Sequence, residues 1–238
     1  MNVLVEEQSL QDIANAIREK NGSADTYKPS EMGNAVRAIE SGGEDLSRFF
    51  KTVTFADALE ERTENLELNL VNATTIHGLI DYVLINFEKI TVTISSLCTS
   101  FQNAFRARSV ELCGNLKIIE IKGDTSGVTT MINAFNNRVT LEEIIGYLDF
   151  TSVAGSVTFA NCRNLEEIRV VKNSVKVPLN FGSCSLLSDE SIDSLVNGFA
   201  DMTEQTAIVF TVHKDVKARI EANQTWLSTL TSKNVTLA

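Results

Sequence analysis

The residues able to do chemistry in this chain are few, and their spacing narrows what that chemistry can be. His77 and His213 are the whole stock of imidazole in 238 residues. A nucleophilic relay needs a base beside a nucleophile and an orienting acid. His77 stands in Thr-Thr-Ile-His-Gly-Leu-Ile, a corner between strands, and His213 precedes Lys214-Asp215, where its ring can help cap a helix. No G-x-S-x-G, H-E-x-x-H or P-loop pattern occurs. The pairs Glu142-Glu143 and Glu166-Glu167 offer the residue types of a glycosidase. They occupy equivalent places one repeat apart, however, and so read as the solvated edge of a ladder. Stacked carboxylates could take calcium, but the D-x-[DN]-x-[DN]-G loop is missing. Cys98, Cys113, Cys162 and Cys184 contain no C-x-x-C pair and read as reduced buried thiols, neither zinc ligands nor disulfides. The sequence therefore assigns no catalytic, cofactor-binding or metal-binding residue. Sugar sites use exposed aromatic rings, and Tyr82 and Tyr147 are the candidates for surface contact.

Composition narrows the partners. Against 31 acidic side chains stand 21 basic ones, a net charge of −10 with no run of Lys or Arg, so nucleic acid is not an expected partner. Hydrophobic residues make up 43% of the chain and charged ones 22%, enough to bury a core. The N-terminal MNVLVEEQSLQD lacks the basic and apolar regions of a secretory signal. No run reaches the ~18 apolar residues of a membrane span, so membrane insertion is not expected. The chain also holds 20 Asn and 42 Ser plus Thr, a polar remainder that needs a structural explanation.

The elements that must position these residues follow from periodicity. Leu10, Ile13, Ala14 and Ile17 fall on one helical stripe behind Ser9, and Met32, Val36 and Ile39 on a second behind Ser30. Two helices of about three turns are marginal alone. The hairpin, residues 1–43, is thus expected to dock or oligomerise through Leu10, Ile13, Ile17, Met32, Val36 and Ile39. Beyond Gly42-Gly43 the period becomes two, as in Leu66-Glu-Leu-Asn-Leu70 and Ile90-Thr-Val-Thr-Ile94.

A frame C-x-x-L-x-x-I then recurs, with Leu116, Leu141 and Leu165 at a nearly constant step, and a degenerate copy at Cys184 and Leu187 follows at a slightly shorter one. Phe135, Phe159 and Phe181 stand three positions before the frame, with Val110 in the first copy. Arg138 replaces the cysteine once, which implies a corner open to solvent or a frame shifted by a position or two. A fixed period of roughly 22–25 residues predicts coils that stack, with inward Phe, Cys, Leu and Ile and with Asn, Ser and Thr bonding the backbone at corners. The period ends at Leu187. Residues 188–238 alternate helical and strand-like segments, beginning with a helix that Ser188 can cap, and read as a capping unit. The expected class is α+β or mainly β: a helical hairpin at 1–43, a leucine-rich-repeat-like solenoid at 44–187, and an α/β cap at 188–238.

Phe159-Ala-Asn-Cys162-Arg-Asn-Leu165-Glu-Glu-Ile168 resembles the BspA-like leucine-rich repeats of bacterial surface proteins and phage structural proteins, over residues 98–187 and more weakly over 65–97. Leu10-Gln-Asp-Ile-Ala-Asn-Ala-Ile-Arg-Glu-Lys20 with Lys28-Pro-Ser-Glu-Met32 is similar to a hairpin of tail and baseplate proteins in phages and prophages of Gram-positive bacteria. The stretch Ser188 to Ala238 resembles the terminal unit of such proteins. These resemblances imply a non-enzymatic virion component of tail, baseplate or fibre, without cofactor, assembled in the host cytoplasm. The implied partners are other virion proteins, further copies of the chain in a homo-oligomer such as a trimer, and a host-surface polysaccharide or protein. A bacterial adhesion module of the same repeat family is the alternative. The acidity disfavours wall teichoic acid and points to a neutral polysaccharide or a protein.

Overall fold

The structure, a computed structural model, describes Ala14, Asn15, residues 65–80 and residues 87–238. The chain divides into two compact units, Met1–Phe55 and Ala56–Ala238. Of the first, Ala14 and Asn15 are described, both helical, with Ala14 buried and Asn15 exposed. The hairpin expected over residues 1–43, with its docking residues Leu10, Ile13, Ile17, Met32, Val36 and Ile39, lies outside the described residues, as does Tyr82.

The described part of the second unit is built on two sheets. Strands β1 (Asn65–Asn69), β2 (Lys89–Ile94), β3 (Ile118–Gly123), β4 (Glu143–Leu148) and β6 (Glu167–Val170) pair in that order, and β5 (Val157–Thr158), β7 (Leu179–Phe181), β8 (Ile208–Val212) and β9 (Val235–Leu237) form the second sheet. Every pairing is parallel. Parallel neighbours cannot be joined by a tight hairpin, so each needs a long crossover. In the first sheet Asn65 pairs with Lys89, Lys89 with Ile118, Ile118 with Glu143 and Glu143 with Glu167. Each register step equals one repeat, except that the step from Lys89 to Ile118 is longer. The sequence period is therefore the length of one strand plus its crossover. Three helices follow: α1 (Asp189–Gly198), α2 (Lys214–Ala222) and α3 (Gln224–Ser232).

This arrangement corrects the expected class. The described residues form an α/β-like fold of nine strands in two parallel sheets with three α-helices, in place of a mainly β leucine-rich-repeat solenoid with a separate cap. The physical reason is that periodicity reports which residues occupy like positions and not which segments share a ladder. Val157 and Leu179 pair with each other, and the same sheet continues through β8 and β9 beyond the last repeat. Helices alternate with those later strands, whereas the described crossovers of the first sheet hold no α-helix.

The repeat frame marks the core. The rings of Phe105, Phe135, Phe159 and Phe181 stack nearly parallel at centroid separations of 5.5, 5.1 and 4.3 Å. Phe101 and Phe210 close the two ends edge-on at 6.1 and 6.3 Å. All six rings are fully buried, as are Leu116, Leu141, Leu165 and Leu187. Burying each such side chain contributes about 1.5–3 kcal/mol, and each ring pair about 0.5–1.5 kcal/mol more. Phe105, not Val110, holds the Phe position of the first copy. A 3₁₀ turn, Val110–Leu112, is inserted between Phe105 and Cys113, which displaces the frame and leaves Val110 half-buried.

Corners account for the asparagines. Asn103, Asn133, Asn137 and Asn161 adopt φ of 54, 54, 65 and 60°, the left-handed region that Asn tolerates better than most residues. Asn161 Nδ2 donates to Asn137 Oδ1 at 2.9 Å, and Asn137 Nδ2 donates to the Ala107 carbonyl at 3.2 Å. Thr99 and Thr129 hydroxyls donate to the Thr74 and Thr99 carbonyls, each at 3.0 Å.

Arg138 is fully buried, so the solvent-open corner expected there is absent. Its Nε donates to the Phe105 carbonyl at 2.5 Å and Nη1 to Cys113 at 2.6 Å, while Nη2 reaches the carbonyls of Arg106 at 3.0 Å and Ile80 at 3.3 Å. From Arg138 onward the frame holds: in the two following copies, Cys162 Sγ donates to the Phe135 carbonyl at 3.2 Å and Cys184 Sγ to Phe159 at 3.8 Å. In these three copies the slot supplies a donor to the preceding Phe carbonyl, whereas Cys113 Sγ, in the first copy, donates to the Gly114 carbonyl at 3.6 Å.

Candidate functional site

Construction begins at a glycine in β4. Ile144 pairs with Ile168, but the next pair is Tyr147 with Arg169, so Ile145 and Gly146 are extra residues in a bulge. Gly146 has φ of +105°, and a Cβ there would stand 2.2 Å from the Ile121 carbonyl oxygen. Only glycine fits. The buried Thr125 holds the far side: its Oγ1 donates to the Tyr147 carbonyl at 3.2 Å and accepts from Asp149 N–H at 2.8 Å. A bulge re-aims the following side chain, and the Tyr147 side chain is exposed, with 61% of the residue accessible.

Helix α1 lies along the other edge of β6. Ser188 caps it, accepting from Ser191 N–H at 3.0 Å, as its sequence position predicts. Ile192, Leu195 and Val196 face the core. The polar face meets the strand edge: Ser191 Oγ accepts from Ile168 N–H at 2.9 Å and Ser194 Oγ from Val170 N–H at 3.0 Å. Two hydroxyls one turn apart thus satisfy the ladder donors of an edge strand that would otherwise be open to pairing.

Between these parts opens a cleft of about 720 Å³. Tyr147, Arg169 and Lys172 come to it from β4, β6 and the turn after β6, while Asp189, Glu190, Asp193 and Asn197 come from α1. Trp226 of α3 lines it as well. Here Asn223 caps α3, its Oδ1 accepting from Thr225 and Trp226 N–H at 3.1 and 3.3 Å. Two of the carboxylates are committed to the architecture. Asp189 receives Nε of Arg219 at 3.1 Å and also its Nη2, and Arg219 Nη1 donates to the Leu187 carbonyl at 2.5 Å. Asp193 accepts from Trp226 Nε1 at 3.0 Å through one oxygen and from Asn197 Nδ2 at 3.0 Å through the other. The side chains of Tyr147, Lys172 and Glu190 make no hydrogen bond or ion pair with the other described residues. Positive charge also sits behind the cleft: burial, and then the Lys172 cation, hold the Lys233 amine below its ordinary value, although Nζ donates to the Phe199, Asn197 and Asn173 oxygens at 2.6, 3.0 and 3.2 Å.

The other residues singled out by type fall elsewhere. His77 is exposed in a turn. His213 caps α2, its Nδ1 accepting from Asp215 N–H at 3.3 Å. Glu143 and Glu167 are register partners on β4 and β6, and Glu142 and Glu166 are exposed one position before each. All four cysteines are buried free thiols. Burial pushes the Cys162 thiol up to about 12, against the opposing pull of Arg138, and raises Cys184 in the same direction. Among the described residues no group of three or more His, Cys, Asp or Glu side chains could hold a metal ion, and no helix is long and apolar enough to cross a membrane.

Of the two tyrosines proposed for surface contact, Tyr147 stands in the cleft. Sequence reasoning missed Arg169, Lys172, Glu190 and Trp226, which come from three separate stretches of chain. One signal was available: Gly146 inside an apolar run marks a bulge, and hence a redirected Tyr147. No protein-family model, curated protein or solved structure matches the chain.

Proposed function

We propose that this chain is a non-enzymatic virion protein of the tail, baseplate or fibre type that meets the host surface through its described unit and assembles through residues 1–43. The observation that carries the reading is the cleft itself: an exposed Tyr147 held out by a dedicated bulge, beside acids committed to holding Arg219 and Trp226 in place. Such acids act as fixed hydrogen-bond acceptors. A reactive pair would need one carboxyl tuned to be an acid and the other free to attack. The resemblance of the sequence to phage repeat proteins supports the same reading.

Immunogold labelling of virions and adsorption of the purified protein to host cells test it. Label at one end of the tail, with saturable adsorption, is the expected result. A protein absent from virions and inert toward cells would overturn it. Deleting residues 1–43 is expected to convert an oligomer into a folded monomer by size-exclusion light scattering; an oligomer that survives would remove residues 1–43 from the proposal.

A further inference from the structure

The lining of the cleft constrains its ligand more closely than the general reading does. Small-molecule pockets are mostly apolar, with a few placed polar groups. This cleft is instead lined about equally by polar and apolar surface, with one exposed ring, two cations and three carboxylates around an open volume of about 720 Å³. An apolar ligand would strand those polar groups without partners, a loss that accompanies desolvation. A polyanion would meet Asp189, Glu190 and Asp193 on a chain of net charge −10. A simple cation would find Asp189 and Asp193 occupied by Arg219, Trp226 and Asn197.

A neutral polyhydroxyl ring fits each of these constraints. Its hydroxyls both donate and accept, so Arg169 and Lys172 can donate while Glu190 and the Asn197 amide oxygen accept. Asn197 already directs its Nδ2 to Asp193, which fixes that amide with its oxygen as the acceptor left over. The apolar C–H face of a pyranose carries slight positive charge and packs on the negative face of an aromatic ring. Tyr147 is the exposed ring of this cleft.

We infer that the cleft is a binding subsite for a neutral saccharide, one pyranose stacked on Tyr147 with its hydroxyls divided between Arg169 and Lys172 on one side and Glu190 and Asn197 on the other. The inference rests on the surface-binding reading and names its receptor class: the carbohydrate of the host envelope, not a protein.

Trp226 gives the test a built-in reporter, because it is the one tryptophan of the chain and it lines the cleft. The full chain is titrated with neutral oligosaccharides of glucose, galactose and N-acetylhexosamines, and with poly(glycerol phosphate) as the anionic control. Tryptophan emission and saturation transfer to the sugar protons are followed. A neutral sugar is expected to change the emission saturably, Tyr147→Ala to weaken binding by roughly tenfold, and Tyr147→Phe to retain it. Arg169→Ala provides a second variant on the polar side, expected to weaken binding while circular dichroism stays unchanged. Response to poly(glycerol phosphate) alone, no response to any sugar, or binding indifferent to Tyr147→Ala would overturn the inference. Parallel cell adsorption separates the two levels. Adsorption removed by treating cells with protease but not with periodate would leave a host-surface role standing and eliminate the saccharide. A sugar response from a protein absent from virions and unable to bind cells would keep the subsite and eliminate the proposed function.

Discussion

Cys162 and Arg138 occupy the same position in successive repeats and do the same thing to the backbone, each donating to the carbonyl of the stacked Phe one repeat earlier. They differ in how much else they must do. The crossover closing on Cys162 keeps the period, and one weak thiol donor suffices. The crossover beneath Arg138 is the long one, between β2 and β3, where Lys89 pairs with Ile118 and the 3₁₀ turn is inserted. It leaves the carbonyls of Arg106 and Cys113 turned inward, together with that of Ile80 from the crossover before. A long, planar side chain with five donors fills that space and reaches all of these as well as Phe105. The contrast teaches that strict repetition satisfies itself with small residues, while each departure from the period needs a specific device. Gly146 in the bulge of β4 and the serine pair of α1 at the edge of β6 are two further devices of this kind.

The comparison is broken most directly at Arg138. Arg138→Ala would leave four buried carbonyls short of donors, at about 1–3 kcal/mol each before relaxation, so a loss of about 4 kcal/mol or more is expected in urea unfolding. Arg138→Cys sharpens the point, since a thiol can replace only the bond to Phe105. That variant should remain nearly as damaged as alanine. Wild-type stability in Arg138→Cys would show that the long crossover needs no special donor.

Gly146→Ala comes next. Its backbone conformation costs a residue with a Cβ about 1–3 kcal/mol, and the contact with the Ile121 oxygen adds to this, so about 2–3 kcal/mol is expected. Function should suffer beyond stability, because the bulge aims Tyr147. A variant that stays folded at low temperature should bind cells less well than wild type. Ser191→Ala then tests the protected edge. It deprives Ile168 N–H of its acceptor, at a cost of about 1–2 kcal/mol, and the double variant with Ser194→Ala should also raise the tendency to associate in light scattering.

What could be read from the sequence divides along the same line. The Leu and Ile positions were legible because a slot buried in every copy must be apolar in every copy, and Leu116, Leu141, Leu165 and Leu187 are all fully buried. The caps at Ser188 and His213 were legible because capping is settled within one turn of chain. The division into two sheets was not, since Val157 and Leu179 look like their neighbours and only pairing partners distinguish them. Nor was the burial of Arg138, whose acceptors lie on distant stretches of chain, as far back as Ile80. Tyr147 could be nominated by residue type, but its companions come from β6, α1 and α3, and nothing local to any one of them announces a cleft.

The smallest expected effect probes the self-satisfied side of the comparison. Burial raises the Cys162 thiol from 9.0 to about 12. A group whose folded value lies above its unfolded one binds its proton more tightly in the native state. Its contribution is therefore fully present below about pH 9 and is lost as pH rises toward the folded value. Cys184 shifts the same way and steepens the decline. Lys233, held below its ordinary value, opposes the trend, because the unfolded chain then holds the extra proton. Cys162→Ser removes one thiol while keeping a donor toward the Phe135 carbonyl. Between about pH 8 and about pH 10 the wild type should lose about 1 kcal/mol more than this variant, read as the difference of their urea midpoints at constant slope. Parallel pH profiles would mean that the thiol slot admits solvent readily, and that the in-period corner is no more self-contained than the one Arg138 has to close.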